Sequence, residues 1–321
     1  MPLAPSRPHR SNLSDTLFRV GTGSIAVLVI AVVVGIGIVL VNDSMLSIRK
    51  FGLHFWTTRT WDPVAGEFGA LPFIWGTLYS SVLALLLATP VALGIAIFLS
   101  ELCPQLLRQP LAFLTELLAA IPSIVYGVWG IFVLVPAVRA LELHVPAFLR
   151  GTPLFAGPPL GVGMLAAGLV LAVMVIPFTA TVAREILKAV PVAQREAAYA
   201  LGATRWEAIR LAVFYGRTGV IGAVMLGFGR ALGETMAVTM VIGNNPQVAL
   251  SLFAPQYTMA AVIANEFTEA ADALYLNALV EIGLVLFLIT VAINGLSRML
   301  IWRVGRLRAI RPLERKVALA A

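Results

Sequence analysis

From Val20 to Val41 the chain carries no charged side chain, and a bilayer core about 30 Å thick is crossed by roughly 20 apolar residues in helix. Five further apolar stretches run approximately from Leu71 to Leu99, Leu111 to Val138, Leu160 to Val182, Thr218 to Ile242 and Leu274 to Ile301. The expected fold is therefore an all-α integral membrane protein with six transmembrane helices. Composition excludes a water-soluble globule, because 60% of the residues are hydrophobic and 12% charged, whereas a soluble domain carries about 25% charged residues. The first run is longer than the core of a signal peptide. Asn42-Asp43-Ser44-Met45 after it offers no small-residue cleavage site, so it is expected to remain as an anchor.

Six spans put both termini on one side of the membrane. That side would hold Arg7, Arg10, Arg19, Arg108, Arg184, Lys188, Arg195, Arg205, Arg210, Arg217, Arg298, Arg303, Arg306, Arg308, Arg311, Arg315 and Lys316; the other would hold Arg49, Lys50, Arg59, Arg139 and Arg150. Cytoplasmic segments near span ends retain Lys and Arg, so both termini are expected in the cytoplasm. The net charge of +7 is then explained by topology and contact with anionic lipid, which leaves nothing for a nucleic-acid partner to explain.

The chain divides into a cytoplasmic tail over 1–19 with no sustained period, the first span over 20–41, an outer loop over 42–70, a transmembrane domain over 71–302 and a second tail over 303–321. Phe51, Phe55, Trp56 and Trp61 in the outer loop are expected at the membrane interface. Gly35-Ile36-Gly37 and Gly161-Val162-Gly163 look like pieces of a phosphate loop, but no strand precedes them, and they are expected to serve close helix packing. None of the three lysines, Lys50, Lys188 and Lys316, follows a glycine, so a Walker loop is excluded. The single Cys103 and three scattered histidines offer no metal-ligand cluster. With no nucleophile–base pair, HExxH or clustered carboxylates either, the chain is expected to bind no cofactor or metal and not to be an enzyme. Glu116 and Glu281 lie early in their spans and are expected to reach an interface or pair with an arginine of a partner chain. Pro122 and Pro177 are expected to kink the spans that contain them.

The most informative polar segment is the cytoplasmic loop 184–217. Val190-Pro191 opens a helical pattern that runs through Leu201, and Gly202 can close it in left-handed geometry. Thr204-Arg205-Trp206-Glu207 then has the Thr-x-x-Glu spacing of a capping box that starts the next helix. The expected exposed face mixes Ala197, Ala198 and Ala200 with Glu196 and basic side chains. By pattern alone it fits a cleft on another protein or a membrane surface equally well.

Span five contains the ionisable residues Arg230 and Glu234, and charges inside a span are costly and usually face a cavity or one another. Their spacing predicts one helix face and a direct pair near mid-bilayer, which could simply brace span five. A guanidinium also presents a planar fork of donors that matches the oxygens of phosphate. A nearby carboxylate would keep such a site weak enough to release its anion.

The segment Glu196 to Val213, EAAYALGATRWEAIRLAV, resembles the EAA loop of type I ABC importer permeases, with Glu196-Ala197-Ala198 and Gly202 at the family spacing. It departs at Phe214-Tyr215, where many relatives have Leu-Pro. Gly229 to Val238, GRALGETMAV, continuing to Val241-Ile242-Gly243-Asn244, resembles the signature of phosphate-specific ABC permeases of the PstC type. Ile121 to Gly127, IPSIVYG, is similar to a second segment of the same proteins. The resemblance covers about Leu71 to Trp302. It implies a MetI-like permease fold in the bacterial inner membrane and transport of phosphate as half of a heterodimer with a PstA-type permease. It also implies a homodimeric PstB-type ATPase that carries ATP and Mg, and an extracytoplasmic PstS-type binding protein. Glu196, Ala197, Ala198, Gly202, Thr204 and Glu207 would dock the ATPase. Arg230 and Glu234 would line the path, with Ser123, Tyr126 and Thr235 as lesser candidates. The runner-up readings are a permease for molybdate or sulfate and an ion-coupled transporter that needs no ATPase.

Overall fold

The computed structural model describes residues 13–306. Of the expected tails over 1–19 and 303–321, residues 1–12 and 307–321, with Arg7, Arg10, Arg308, Arg311, Arg315 and Lys316, lie outside the described residues. Along the chain α1 covers Leu13–Asp43, α2 Met45–Phe51, α3 Leu71–Ile97, α4 Gln105–Ala119, α5 Ser123–Trp129, α6 Val135–His144 and α7 Ala147–Arg150. Then follow α8 Met164–Lys188, α9 Val192–Ala200, α10 Arg205–Leu232, α11 Met236–Thr239, α12 Met259–Glu266 and α13 Ala273–Arg306. Among the described residues the only extended pairings are isolated bridges between Asp62 and Glu67 and between Gly243 and Gln256. Six helical stretches are long and apolar enough to cross a membrane.

Span four, α8, forms the axis: 61% of its most apolar window is buried, more than in any other span. It packs on α3 and α10, while α13 lies against α10, and α1 touches the rest mainly through α13. Small residues set these distances, as is usual where helices associate in lipid. In α3 the buried positions Gly76, Ser80, Ala84, Ala88, Ala92 and Ala96 recur every fourth residue and form one flat stripe. Gly168 of α8 admits Leu83, and Gly227 of α10 admits Val175 and Thr179. Gly37 meets the Phe287 ring as expected for helix packing. Gly161 and Gly163 do not serve that purpose. They lie before α8, where the backbone passes close to the carbonyls of Val135 and Phe253, and Gly161 needs φ +80° to do so.

Several span limits differ from the sequence expectation. The third span runs over Ser123–His144 rather than from Leu111, because Pro122 disfavours helix at Ile121 and separates α4 from α5. Pro122 therefore breaks the chain ahead of a span instead of kinking one, and Pro177 does lie inside α8. The π-helical turn Gly130–Leu134 sits just before Pro136, whose ring clashes with the carbonyl four residues earlier in a regular helix. The fifth span starts at Arg205 and ends at Leu232, short of Ile242, so loop 184–217 is non-helical only around α9. The described parts of the expected tails, 13–19 and 303–306, are helical and belong to α1 and α13.

The outer aromatics are also placed differently from expectation. Phe55 is fully buried, and Trp61 packs edge-on against Phe68 and Phe73, with ring centroids 4.8 Å apart in both cases. Trp61 Nε1 donates to Glu266 Oε2 at 2.9 Å, as does the Tyr275 hydroxyl at 2.6 Å. Burying aromatic area against α3, α12 and α13 outweighs exposure at a membrane interface.

The chain between Val241 and Thr258 crosses the starting ends of α3 and α8, which donate to several of its carbonyls. Leu165 N donates to Leu252 O at 2.7 Å, Met164 N to Ala254 O at 3.2 Å and Gly163 N to Val241 O at 3.0 Å. Trp75 Nε1 and the Tyr79 hydroxyl donate to Ala249 O and Leu250 O, each at 2.9 Å. Irregular backbone persists within a membrane protein where protein covers it.

Candidate functional site

The hairpin that joins α9 to α10 forms as its sequence spells it. Thr204 Oγ1 accepts from Glu207 N at 3.4 Å, and Glu207 Oε2 accepts from Thr204 N at 2.8 Å, the two halves of the capping box. At the end of α9, Gly202 takes φ +84°. Gly202 N donates to Tyr199 O at 2.9 Å and Ala203 N to Ala198 O at 3.0 Å, the paired bonds of a Schellman motif. Glu196, Ala197 and Ala200 are exposed, beside Leu201 at 90% and Trp206 at 66% exposure. Ala198 is the exception: it is buried, 8% exposed, in a helix that packs against α10.

At the other candidate site the expected direct pair is absent. The α10 helix ends at Leu232, two residues before Glu234, with Gly233 as its cap, so Arg230 and Glu234 do not share a continuous helix, and no ion pair joins them among the described residues. Arg230 occupies the last turn of α10. Its guanidinium carbon lies 5.5 Å from the centre of the Phe178 ring, and its Nε is buried without a hydrogen bond. Glu234 Oε1 accepts from Ala237 N at 3.2 Å and so caps α11.

Tyr126, whose side chain ends in a hydroxyl, is buried in one cluster with Ala231, Ala237 and Val238 on either side of the break after α10. That hydroxyl donates to Leu118 O at 2.8 Å, across the Pro122 break. Thr235 is half-buried, and its hydroxyl lies 3.4 Å from Gly233 O. Ser123 is half-buried at the start of α5. Gly127 lets α5 touch α11, since a Cβ there would stand 3.1 Å from Ala237 Cα. Span three thus meets the broken end of span five where the sequence candidates cluster.

Glu116 lies 3.3 Å from Arg184 of the same chain. Glu281 is 2% exposed, beside Ser47 of α2, and does not reach an interface. Two residues with no assigned role in the sequence reading emerge: Glu101 and Arg195, which bond at 2.6 Å. Glu101 gives no motif signal, since a lone carboxylate at the end of an apolar run looks like any solvated helix end.

A helical permease built of six spans, with a short helical hairpin between the fourth and the fifth, is the class this arrangement defines. Its fold matches a chain in a structure of the MetNI methionine ABC transporter in inward-facing conformations, at 18% identity and TM-score 0.54 over 72% of this chain and 94% of that one. Residues 91–306 match the family model of binding-protein-dependent transport system inner membrane components, and the chain belongs to that family, in its PstC-type branch. It is 46% identical to the phosphate transport system permease protein PstC of Mesorhizobium japonicum over 92% of each chain. It is 47% identical to that of Haemophilus influenzae over 89% of this chain and 93% of the relative. The probable PstC of Methanocaldococcus jannaschii is 38% identical over 81% of this chain and 86% of the relative.

Proposed function

We propose that the chain is one permease half of an ATP-driven importer of inorganic phosphate. The observation that carries the substrate is likeness along nine-tenths of the chain to permeases named for phosphate transport. The guanidinium of Arg230 supports it chemically, because its fork of donors fits an oxyanion and its Nε has no protein partner. Glu234, two residues past the end of α10, keeps a negative charge nearby that opposes tight retention. Ser123, Tyr126 and Thr235 border the same path. The hydroxyl of Tyr126 serves mainly to hold the Pro122 break, given its bond to Leu118.

The partners are a related PstA-type permease, a PstB-type ATPase dimer that binds ATP and Mg, and a PstS-type binding protein outside. The α9 hairpin docks the ATPase through Glu196, Ala197, Ala200, Leu201 and Trp206, while Gly202, Thr204 and Glu207 shape the hairpin and Ala198 seats it. ATP binding closes the ATPases, and the hairpin carries that movement into the spans. The path turns outward to accept phosphate, and hydrolysis resets it. The termini and the hairpin lie in the cytoplasm.

Reconstitution of all four subunit types in liposomes tests this. ATP-dependent phosphate uptake, with sulfate and molybdate moved poorly, is the expected result. Phosphate movement by this chain alone down an ion gradient, with no ATPase present, would overturn it.

A further inference from the structure

One arginine holds α9 to the spanning bundle. Arg195 donates from Nε to Glu101 Oε2 at 3.1 Å and from Nη2 to Glu101 Oε1 at 2.6 Å. It also reaches Val190 O and Leu187 O, both at 2.9 Å. Arg205, the first residue of α10, adds a bond to the carbonyl of Glu101 at 3.2 Å. Glu101 therefore gathers both arms of the hairpin. The paired side chains are only 19% and 10% exposed, unlike Lys188 and Glu185 at 39% and 57%. Exposed pairs of the latter kind contribute little, whereas a shielded bidentate fork fixes orientation as well as distance.

Glu101 belongs to the π-helical turn Phe98–Leu102 that ends span two, closed by Cys103 N donating to Phe98 O at 2.8 Å. Single π turns recur at functional sites, because their wide ring is a local departure from the helix. The chain then enters α4. That helix carries Glu116, bonded to Arg184 of α8, and ends near Leu118 O, which accepts from Tyr126. The Arg195–Glu101 bond, the chain from the π turn through α4, and the Leu118–Tyr126 bond thus link α9 to the start of span three.

We propose that the Arg195–Glu101 pair is a positioning joint of the transport cycle. It converts displacement of the α9 hairpin into displacement of the π turn of span two and, through α4, of the Tyr126 end of span three. This rests on the reading of α9 as the ATPase-docking helix.

The test uses the complete complex in proteoliposomes. Phosphate moved per ATP hydrolysed is measured for E101Q and R195K, with recovery of the ATPase subunit on purification. E101Q keeps shape and loses charge; R195K keeps charge and loses the fork. Both are expected to recover the ATPase normally and to hydrolyse ATP. The transport-to-hydrolysis ratio is expected to fall about fivefold, within the range that changes along coupling networks produce. An unchanged ratio overturns the joint. So does a loss of uptake that merely follows loss of the ATPase, because the pair would then only shape the docking helix. Failure of the wild-type complex to retain the ATPase would overturn the docking reading, and the joint with it.

Discussion

Arg230 and Glu234 stand on opposite sides of a helix break, the first in the last turn of α10 and the second capping α11 through Ala237 N. Each charge sits at a helix end of opposite sign, the cation in a last turn and the anion accepting from an amide of a first turn. The guanidinium is thus stabilised by a diffuse field rather than by a paired carboxylate. An anion arriving at Arg230 displaces no ion-pair partner, yet it approaches the carbonyl end of a helix of 28 residues, about 42 Å long. Capture and release can therefore coexist at one side chain.

Replacing Arg230 by Gln removes the charge and the fork but keeps a side chain of similar length. A hydrogen bond to a charged group is worth about 1.5–3 kcal/mol, so ATP-driven phosphate uptake should fall about ten- to hundredfold by that scale. Assembly should persist, because the helix-end contribution of the charge is about 1 kcal/mol or less. Uptake at the wild-type rate, measured in proteoliposomes with complex recovery as control, would show that the path does not use this cation.

The contact of α5 with α11 depends on Gly127, where a Cβ would stand 2.5 Å from Met240 Sδ and 3.1 Å from Ala237 Cα. Alanine is accommodated if the flexible Met240 side chain moves, since methionine repacks readily. Valine has no such escape and must push α11 away. G127V is therefore expected to abolish uptake while leaving the distant α9 hairpin able to hold the ATPase, and G127A to retain most of it. Equal uptake by the two variants would mean that this contact does not shape the path.

How much of this was legible in the sequence depended on the range of the signal. The capping box at Thr204 and the left-handed Gly202 were readable because both are local backbone chemistry. The six spans were readable because burial in lipid demands long apolar runs. The break after Leu232 was not, since Gly233 lies in an apolar stretch that hydropathy reads straight through. The sequence expectation therefore joined Arg230 to Glu234 on one helix. The aromatic cluster around Trp61 and the Arg195–Glu101 pair were hidden for a different reason: their partners lie far apart in the chain, and no spacing encodes them.

Gly202 has open space around its Cα but a φ of +84°, so a substitution there costs only backbone strain. Alanine in the left-handed region loses roughly 1–2 kcal/mol, enough to fray a helix of nine residues without touching the spans. G202A should lower recovery of the ATPase subunit with the purified permease and raise protease cleavage between α9 and α10, while expression in the membrane stays normal. Retention of the ATPase at the wild-type level would separate the Schellman turn from docking.

The orientation has a direct chemical readout. Val64 in the outer loop is 98% exposed and Leu201 in the hairpin 90%, while the native Cys103 is 3% exposed and should stay silent to a bulky thiol reagent. If the basic residues set the topology, a membrane-impermeant maleimide added to spheroplasts labels V64C at once and L201C only after permeabilisation. Because Leu201 lies on the proposed docking face, labelling of L201C should also slow when the ATPase subunit is bound, whereas V64C should not respond. The opposite order of labelling would invert the membrane topology and move the hairpin out of reach of any cytoplasmic ATPase. Correct sidedness without ATPase protection would leave the topology standing and remove Leu201 from the interface.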